Sequence, residues 1–263
     1  MRYTGLQERI TMVKKVEKHE RINDILLGFI ERPALKWLAA HMPAWVGPDL
    51  LTGIGVFASV LILVSYALVP INKNFLWLAS FGFLLNWFGD SMDGSLARYR
   101  HIERPRFGFF IDHSVDAFSV ATIFIGFGLS GYVDLTVALL GAIAYLMVMI
   151  LVYLKTFVTG IFEITGAKIG PTEIRFFAIL VNTIMIFIKN PYFILPLLGK
   201  TTFLGVAMTI MVVLLFGYFL VKTLMEARRL ALLDGRRLER RLAKERKQKE
   251  KEEKKLPKLP ELM

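Results

Sequence analysis

Cysteine is absent from the 263-residue chain, which excludes a disulfide framework, thiolate catalysis and a cysteine-bound zinc site. No internal repeat of fixed period runs through it. Residues 1–21 are polar and basic and the first long apolar run begins near Leu50, so no secretory signal is expected. Charge is scarce as well: 21% of residues are charged against 55% hydrophobic, too apolar a balance for an ordinary soluble domain. A basic excess nevertheless remains, with 33 Lys plus Arg against 22 Asp plus Glu and a net charge of +11. These cations lie outside the apolar runs, and the tail neither forms a folded nucleic-acid module nor interleaves aromatics with its charge. The excess therefore fits a membrane with anionic headgroups, and no nucleic-acid partner is expected.

A spanning helix needs roughly 20 mostly apolar residues. Six segments meet or approach that length: 50–69, 75–98, 108–129, 133–154, 171–189 and 201–221. The fifth is the shortest, but Pro171 at a first helical position, Glu173 in the first turn and Asn190-Pro191 beyond it define its ends. Assigning cations to the connections tests the count. The segment before the first span, the second connection, the fourth connection and the C-terminal tail together hold 30 of the 33 Lys and Arg, leaving Lys73, Lys189 and Lys200 for the other face. By the positive-inside rule, both termini are expected in the cytoplasm.

Ahead of the first span, Ile22, Ile25, Leu26 and Phe29 recur at helical spacing, with Trp37 and Trp45 following. This predicts an amphipathic helix on the cytoplasmic leaflet, broken near Pro33; a helix packed in a soluble domain has the same periodicity. The tail mixes Arg, Lys and Glu with Leu230, Leu233, Leu238 and Leu242, which predicts a solvated helical extension of the sixth span, with a polybasic hold on anionic lipid as a lesser role. Pro257 and Pro260 are expected to end it. The fold class is thus an all-α integral membrane protein, six transmembrane helices preceded by an interfacial helix. Its parts are a cytoplasmic segment over 1–47, a six-helix domain over 48–225 and a basic tail over 226–263.

Four aspartates sit inside or at the mouth of the second and third spans: Asp90, Asp93, Asp112 and Asp116. An acid at the centre of a span costs roughly 2.5 to 3.5 kcal/mol on the insertion scale, so four together demand a reason. Asp90 and Asp93 are three apart and Asp112 and Asp116 four apart, so each pair shares one helix face. The short connection 99–107 makes the two helices antiparallel, with those faces able to meet near the cytoplasmic surface. Four carboxylates at close quarters repel one another unless cations neutralise them, and oxygen-only ligands suit Mg2+ or Mn2+, most economically as two ions.

Small residues flank the acids. Gly94 and Ala97 follow Asp90 and Asp93 on the same face, and Gly108 lies one turn before Asp112, clearing a surface on which a ligand can lie; close helix packing is the alternative use. Arg98 offers a bidentate donor for a phosphate, or a positive anchor at the membrane face.

Read as one string, Asp90-x2-Asp93-Gly94-x2-Ala97-Arg98, nine residues, Gly108-x3-Asp112-x3-Asp116, the chain resembles the signature of the CDP-alcohol phosphotransferase family, with all eight fixed residues matched. The resemblance implies six spans with the motif on the second and third, an amphipathic helix before the first, and a homodimer. It implies transfer of a substituted phosphate from a CDP-alcohol donor to the hydroxyl of an acceptor alcohol, releasing CMP and making a phospholipid. Carried over by position, Asp90, Asp93, Asp112 and Asp116 form the metal site, and Asp116 takes the proton from the acceptor hydroxyl. Gly94, Ala97, Arg98 and Gly108 receive the CDP moiety. Pro48-Asp49-x2-Thr52 is similar to a Pro-Asn-x2-Thr element of the family; Asp49 departs from it, and Thr52 joins the CDP-binding set.

Two short features, Asp112-His113 and the run 170–173 ending in Glu173, resemble the choline/ethanolamine branch. His113 is then either a polar neighbour of the metals or a participant in the chemistry. Lys155 and Arg175 flank the same cytoplasmic connection, where they either contact a phosphorylated acceptor or snorkel to headgroups. The donor is therefore either a CDP-diacylglycerol-like lipid or a CDP-linked head group. A divalent-cation channel or carrier with the aspartates as its permeation site is the rival of another class. Clustering of all four acids at one end, beside Gly, Ala and Arg, argues against it. Ion pairing to Arg98, Arg100, Arg104 and Arg106 would account for one or two carboxylates, not for both facing pairs.

Overall fold

The computed structural model describes residues 27–159, 170–188, 191–195 and 199–253, less the side chains of 237, 240 and 248–253. Of the features read from the sequence, Ile22, Ile25, Leu26, Lys189, Asn190, Pro257 and Pro260 lie outside the described residues. The elements run α1 Gly28–His41, α2 Pro48–Leu68, α3 Phe75–Tyr99, α4 Pro105–Leu129, α5 Leu135–Thr159, α6 Pro171–Phe187, β1 Tyr192–Leu195, β2 Gly199–Thr202 and α7 Phe203–Glu253.

Four of these helices, α2, α4, α5 and α7 over Phe203–Lys247, are long and apolar enough to cross a membrane by length and composition. The six expected spans include two more, α3 and α6. α3 has 25 residues but carries Asp90, Asp93 and Arg98, which lower its apolarity, and α6 has 17 residues. Large apolar side chains point outward along these helices, among them Phe57 and Val64 on α2, Phe81 and Leu84 on α3, Phe118 on α4 and Phe157 on α5. Such a surface is stable against lipid tails and costly in water.

Helix ends follow local chemistry. α2, α4 and α6 each open on proline, whose missing N–H would have no partner in the first turn. α3 stops where His101 takes a left-handed conformation at φ 58° and the Ile102 amide reaches back to the Ala97 carbonyl at 3.0 Å, which closes the last turn. Pro33, expected to break the first helix, lies inside α1 instead. The bond it forgoes is to the Phe29 carbonyl on the exposed side, while the Ile30 and Glu31 amides both bond Leu27. The all-α expectation also misses a small hairpin, β1 antiparallel to β2 with Tyr192 opposite Thr202 and Leu195 opposite Gly199. The Tyr-Phe-Ile-Leu run beyond Pro191 favours extended backbone, and pairing it satisfies N–H and C=O groups that leave the helical layer.

Two apolar clusters hold the helices together. Ile62, Tyr66, Leu76, Ala79, Phe83, Met185 and Ile186 join α2, α3 and α6, while Ala39, Leu51, Met92 and Leu96 join α1, α2 and α3. Because lipid is as apolar as a leucine side chain, close packing at small residues supplies much of the cohesion between such helices. A Cβ on Gly89 would stand 2.6 Å from the Gly55 nitrogen and the Leu51 carbonyl, so α2 and α3 touch backbone to backbone there. Three polar groups inside the packing pair with one another: Tyr66 Oη donates to Asn182 Oδ1 at 2.9 Å, and Asn182 Nδ2 to Ser80 Oγ at 3.2 Å.

The chain divides into two compact units at Gly217 and Tyr218. Within the second, the charged part of α7, Arg241 Nε donates to Glu245 Oε1 at 3.0 Å and Arg229 Nη1 lies 3.4 Å from Glu226 Oε2, both at one-turn spacing.

Candidate active site

The backbone contact at Gly89 brings the first turns of α2 against the C-terminal half of α3, and α4 and α6 close the remaining sides of a polar cleft. Its walls are Thr52 and Gly55 from α2, Asn86, Asp90 and Asp93 from α3, Asp112, Val115, Asp116 and Ser119 from α4, and Arg175 from α6. All four aspartates thus meet, together with Thr52 and Arg175, as the helix-face spacing of the two pairs requires.

Each acid of α3 is held by donors from another part of the protein. Thr52 Oγ1 donates to Asp93 Oδ2 at 2.6 Å, in preference to the Pro48 carbonyl at 3.2 Å, and the Gly94 amide donates to Asp93 Oδ1 at 2.5 Å. Arg175 Nη2 donates to Asp90 Oδ2 and its Nε to Asn86 Oδ1, both at 2.8 Å. Asn86 is buried and in turn donates through Nδ2 to the Gly55 carbonyl at 2.9 Å and to Ser59 Oγ at 3.0 Å, while Ser59 Oγ lies 2.7 Å from Ser119 Oγ. This chain of bonds links α6, α3, α2 and α4, and it fixes the floor of the cleft.

On α4, Asp112, His113 and Asp116 can each offer a ligand atom within 4.8 Å of the others, a donor set that suits a divalent cation. The His113 ring lies between those of Phe109 and Tyr153, at centroid distances of 4.1 and 4.7 Å, with Nδ1 3.4 Å from Asp112 Oδ2. Two aromatic faces therefore set the plane of the imidazole.

The other sequence-derived residues lie outside the cleft wall. Arg98 folds back over Gly94: a Cβ there would stand 3.2 Å from Arg98 Nη1, and Arg98 Nη2 donates to Ser95 Oγ at 3.2 Å. Gly108 is open, with nothing within 4 Å of where a Cβ would be. Ala97 accepts the bond that closes α3. Lys155 lies in the last turns of α5, outside the cleft lining. Glu173 divides its carboxylate between two backbone amides, Gly170 N to Oε2 and Leu27 N to Oε1, both at 2.8 Å, so it caps α6 and ties that helix to the start of α1. Asp49 pairs with Arg104 at the N-terminus of α4, so the residue that departs from the Pro-Asn-x2-Thr pattern has a charged partner of its own.

Sequence reasoning passed over Asn86, Gly55, Val115 and Ser119. A signal existed for two of them: Asn86 is one turn before Asp90 and Ser119 three residues after Asp116, polar side chains at helical spacing in otherwise apolar spans.

Residues 45–221 match the family model described as CDP-alcohol phosphatidyltransferase. The phosphatidylinositol phosphate synthase of Cutibacterium acnes (strain DSM 16379 / KPA171202) is 37% identical over 92 residues, a stretch that covers 34% of this chain and 41% of that relative. The matched stretch thus spans about two fifths of the relative's length. With the four aspartates of its signature on one cleft and well over half of its length inside the family model, this chain belongs to the CDP-alcohol phosphatidyltransferase family.

Proposed function

We propose that the protein is a CDP-alcohol phosphotransferase of phospholipid synthesis, which moves a substituted phosphate from a CDP-alcohol to an acceptor hydroxyl and releases CMP. The observation that carries this reading is the convergence of Asp90, Asp93, Asp112, Asp116, Thr52 and Arg175 on one cleft in a member of this family. The chain would cross the membrane six times, with α3 and α6 as spans beside the four more apolar helices. At about 1.5 Å per residue, helices of 25 and 17 residues are about 37 and 26 Å long, near the thickness of the hydrocarbon layer. The distribution of Lys and Arg puts both termini and the cleft on the cytoplasmic side, where a water-soluble nucleotide arrives. α1 lies along that surface with Phe29, Ile30 and Trp37 exposed toward lipid.

The carboxylate oxygens fit Mg2+ or Mn2+: Asp112 and Asp116 lie within mutual reach on α4, and Asp90 and Asp93 across the cleft would complete a two-ion site. Ions held there would offset the charge of the diphosphate and stabilise CMP as leaving group. Asp116 accepts the proton of the acceptor hydroxyl, whose oxygen forms a new bond to the phosphorus that carries the alcohol. The phosphoanhydride bond breaks, and CMP departs with its electron pair. Thr52 and Arg175 keep Asp93 and Asp90 in fixed orientation. The CDP moiety lies over Gly94, Ala97, Arg98 and Gly108, which requires Arg98 to swing off Gly94 as the phosphates arrive.

Two donor classes share this chemistry. Similarity to a phosphatidylinositol phosphate synthase supports a phosphatidyl donor with a phosphorylated polyol as acceptor, which Arg175 and Lys155 suit by charge. Asp112-His113 and Glu173 resemble the branch that uses a CDP-linked choline or ethanolamine. The test is a screen of purified protein in lipid nanodiscs over both donor classes and paired acceptors, reading CMP release and the mass of the lipid product. The expected result is CMP formed only when donor and acceptor are both present, lost on chelation and restored by Mg2+ or Mn2+. Metal-dependent ion flux with no CMP from any pair would replace this reading with a cation carrier. Two copies associate in the membrane, as the resemblance implies, which mass photometry of the same nanodiscs measures.

A further inference from the structure

One carboxylate on α1 makes more contacts than an interfacial helix needs to lie on a membrane. Glu31 Oε1 accepts from Trp87 Nε1 at 2.9 Å, from Ser91 Oγ at 3.0 Å and from Thr172 Oγ1 at 3.0 Å. Its donors come from two helices of the cleft: Trp87 and Ser91 bracket Asp90 on α3, and Thr172 stands in the first turn of α6, three residues before Arg175. A second bond runs the opposite way between the same two elements, from the Leu27 amide at the head of α1 to Glu173 on α6. α1 and α6 are therefore joined by one carboxylate from each side, and only Glu31 also reaches α3.

The consequence falls on Arg175. Its two bonds at 2.8 Å, to Asp90 and to Asn86, require the first turn of α6 to sit at a fixed height beside α3. Gly170, at the head of that turn, follows a long connection, and Pro171 removes one backbone N–H that could have anchored it. What joins this turn to α3 on the α1 side is the Glu31 oxygen shared by Thr172, Trp87 and Ser91. Charge-assisted bonds of this kind are stronger than neutral ones and fix direction as well as distance.

We propose that Glu31 is a positioning residue for the acceptor end of the cleft, holding Arg175 against Asp90 and Asn86 through Thr172 and the first turn of α6. Glu31 lies before residue 45, where the match to the family model begins, so α1 contributes to the site from outside the matched domain. The inference rests on the transferase reading, with Arg175 as a contact of the acceptor.

The test is steady-state kinetics of CMP release in nanodiscs, with acceptor and donor varied separately, for Glu31→Ala, Glu31→Gln, Thr172→Val and Thr172→Ser. Supporting residues of a metal or substrate site are typically worth about 10- to 100-fold when removed. Glu31→Ala and Thr172→Val should each raise the KM for the acceptor by about tenfold or more, and by more than they raise the KM for the donor. Thr172→Ser, which keeps the hydroxyl donor, should stay close to wild type, and Glu31→Gln, which keeps an acceptor oxygen without the charge, should lie between Glu31→Ala and wild type. A role in stability alone lowers the folded fraction, which reduces kcat and leaves KM where it was. Unchanged acceptor KM in folded Thr172→Val overturns the proposal even where Glu31→Ala fails to fold. Wild-type protein that releases no CMP with any pair overturns the transferase reading and this inference with it, whereas active wild type with unmoved KM values overturns the inference alone.

Discussion

Thr52 Oγ1 donates to Asp93 Oδ2 across 2.6 Å, a bond from the first turns of α2 to an acid well inside α3. With the Gly94 amide on the other oxygen, both oxygens of Asp93 have a donor and the carboxylate is left a single orientation. Thr52→Val keeps the shape and removes the hydroxyl. Loss of about 10- to 100-fold in activity is expected, with folding preserved; Thr52→Ser should retain most turnover. CMP release by the two variants, beside their melting temperatures in micelles, measures this.

Gly89 sets the distance between the two helices that share this bond. A Cβ placed 2.6 Å from Gly55 N and Leu51 O must push backbone from backbone. Gly89→Ala is expected to destabilise the protein by about 1–3 kcal/mol and to cost activity by drawing Thr52 from Asp93. Gly108→Ala, which meets nothing within 4 Å, should leave stability unchanged. Thermal unfolding of the pair separates a general effect of glycine loss from helix separation.

Arg100 fastens the connection between α1 and α2 to the end of α3. Its Nη1 donates to the Val46 carbonyl at 2.6 Å and reaches that of Ala44 at 3.5 Å, and its Nη2 donates to Pro43 at 2.8 Å and Met42 at 3.0 Å. A lysine cannot reproduce that fork. Arg100→Lys should lower stability by about 1.5–3 kcal/mol, the usual worth of a hydrogen bond to a charged group, and speed tryptic cleavage near Lys36.

Much of this was legible before the fold was known. Asp90, Asp93, Asp112 and Asp116 are out of place in apolar helices, and their spacing of three and four makes each pair share a face, so their meeting follows from helical geometry. Helix ends were readable wherever proline or glycine marks them, as at Pro171, and less so where termination depends on His101, a residue with no compositional signature. Asn86 and Ser119 were present as polar side chains at helical spacing, but their partners on α2 and α6 lie far away in sequence. Glu31 could not be found from periodicity: on an amphipathic helix a lone acid reads as part of the solvated face, and its three donors become visible only once α3 and α6 stand beside α1. Arg175 was expected at a cytoplasmic connection; its bond to Asp90 depends on the packing of α6 against α3.

In the proposed reaction Asp116 accepts a proton in a metal-dependent phosphotransfer that makes CMP. Its most direct test is acceptor-dependent CMP release by Asp116→Asn beside wild type, in nanodiscs with Mg2+ and the best donor and acceptor pair from the screen. The substitution keeps the size of the side chain but removes the base together with a negative charge of the metal site, and base catalysis alone is worth about 10²- to 10⁴-fold. A loss at least that large is expected in a protein that folds and melts as wild type does. Turnover by Asp116→Asn at the wild-type rate would contradict it.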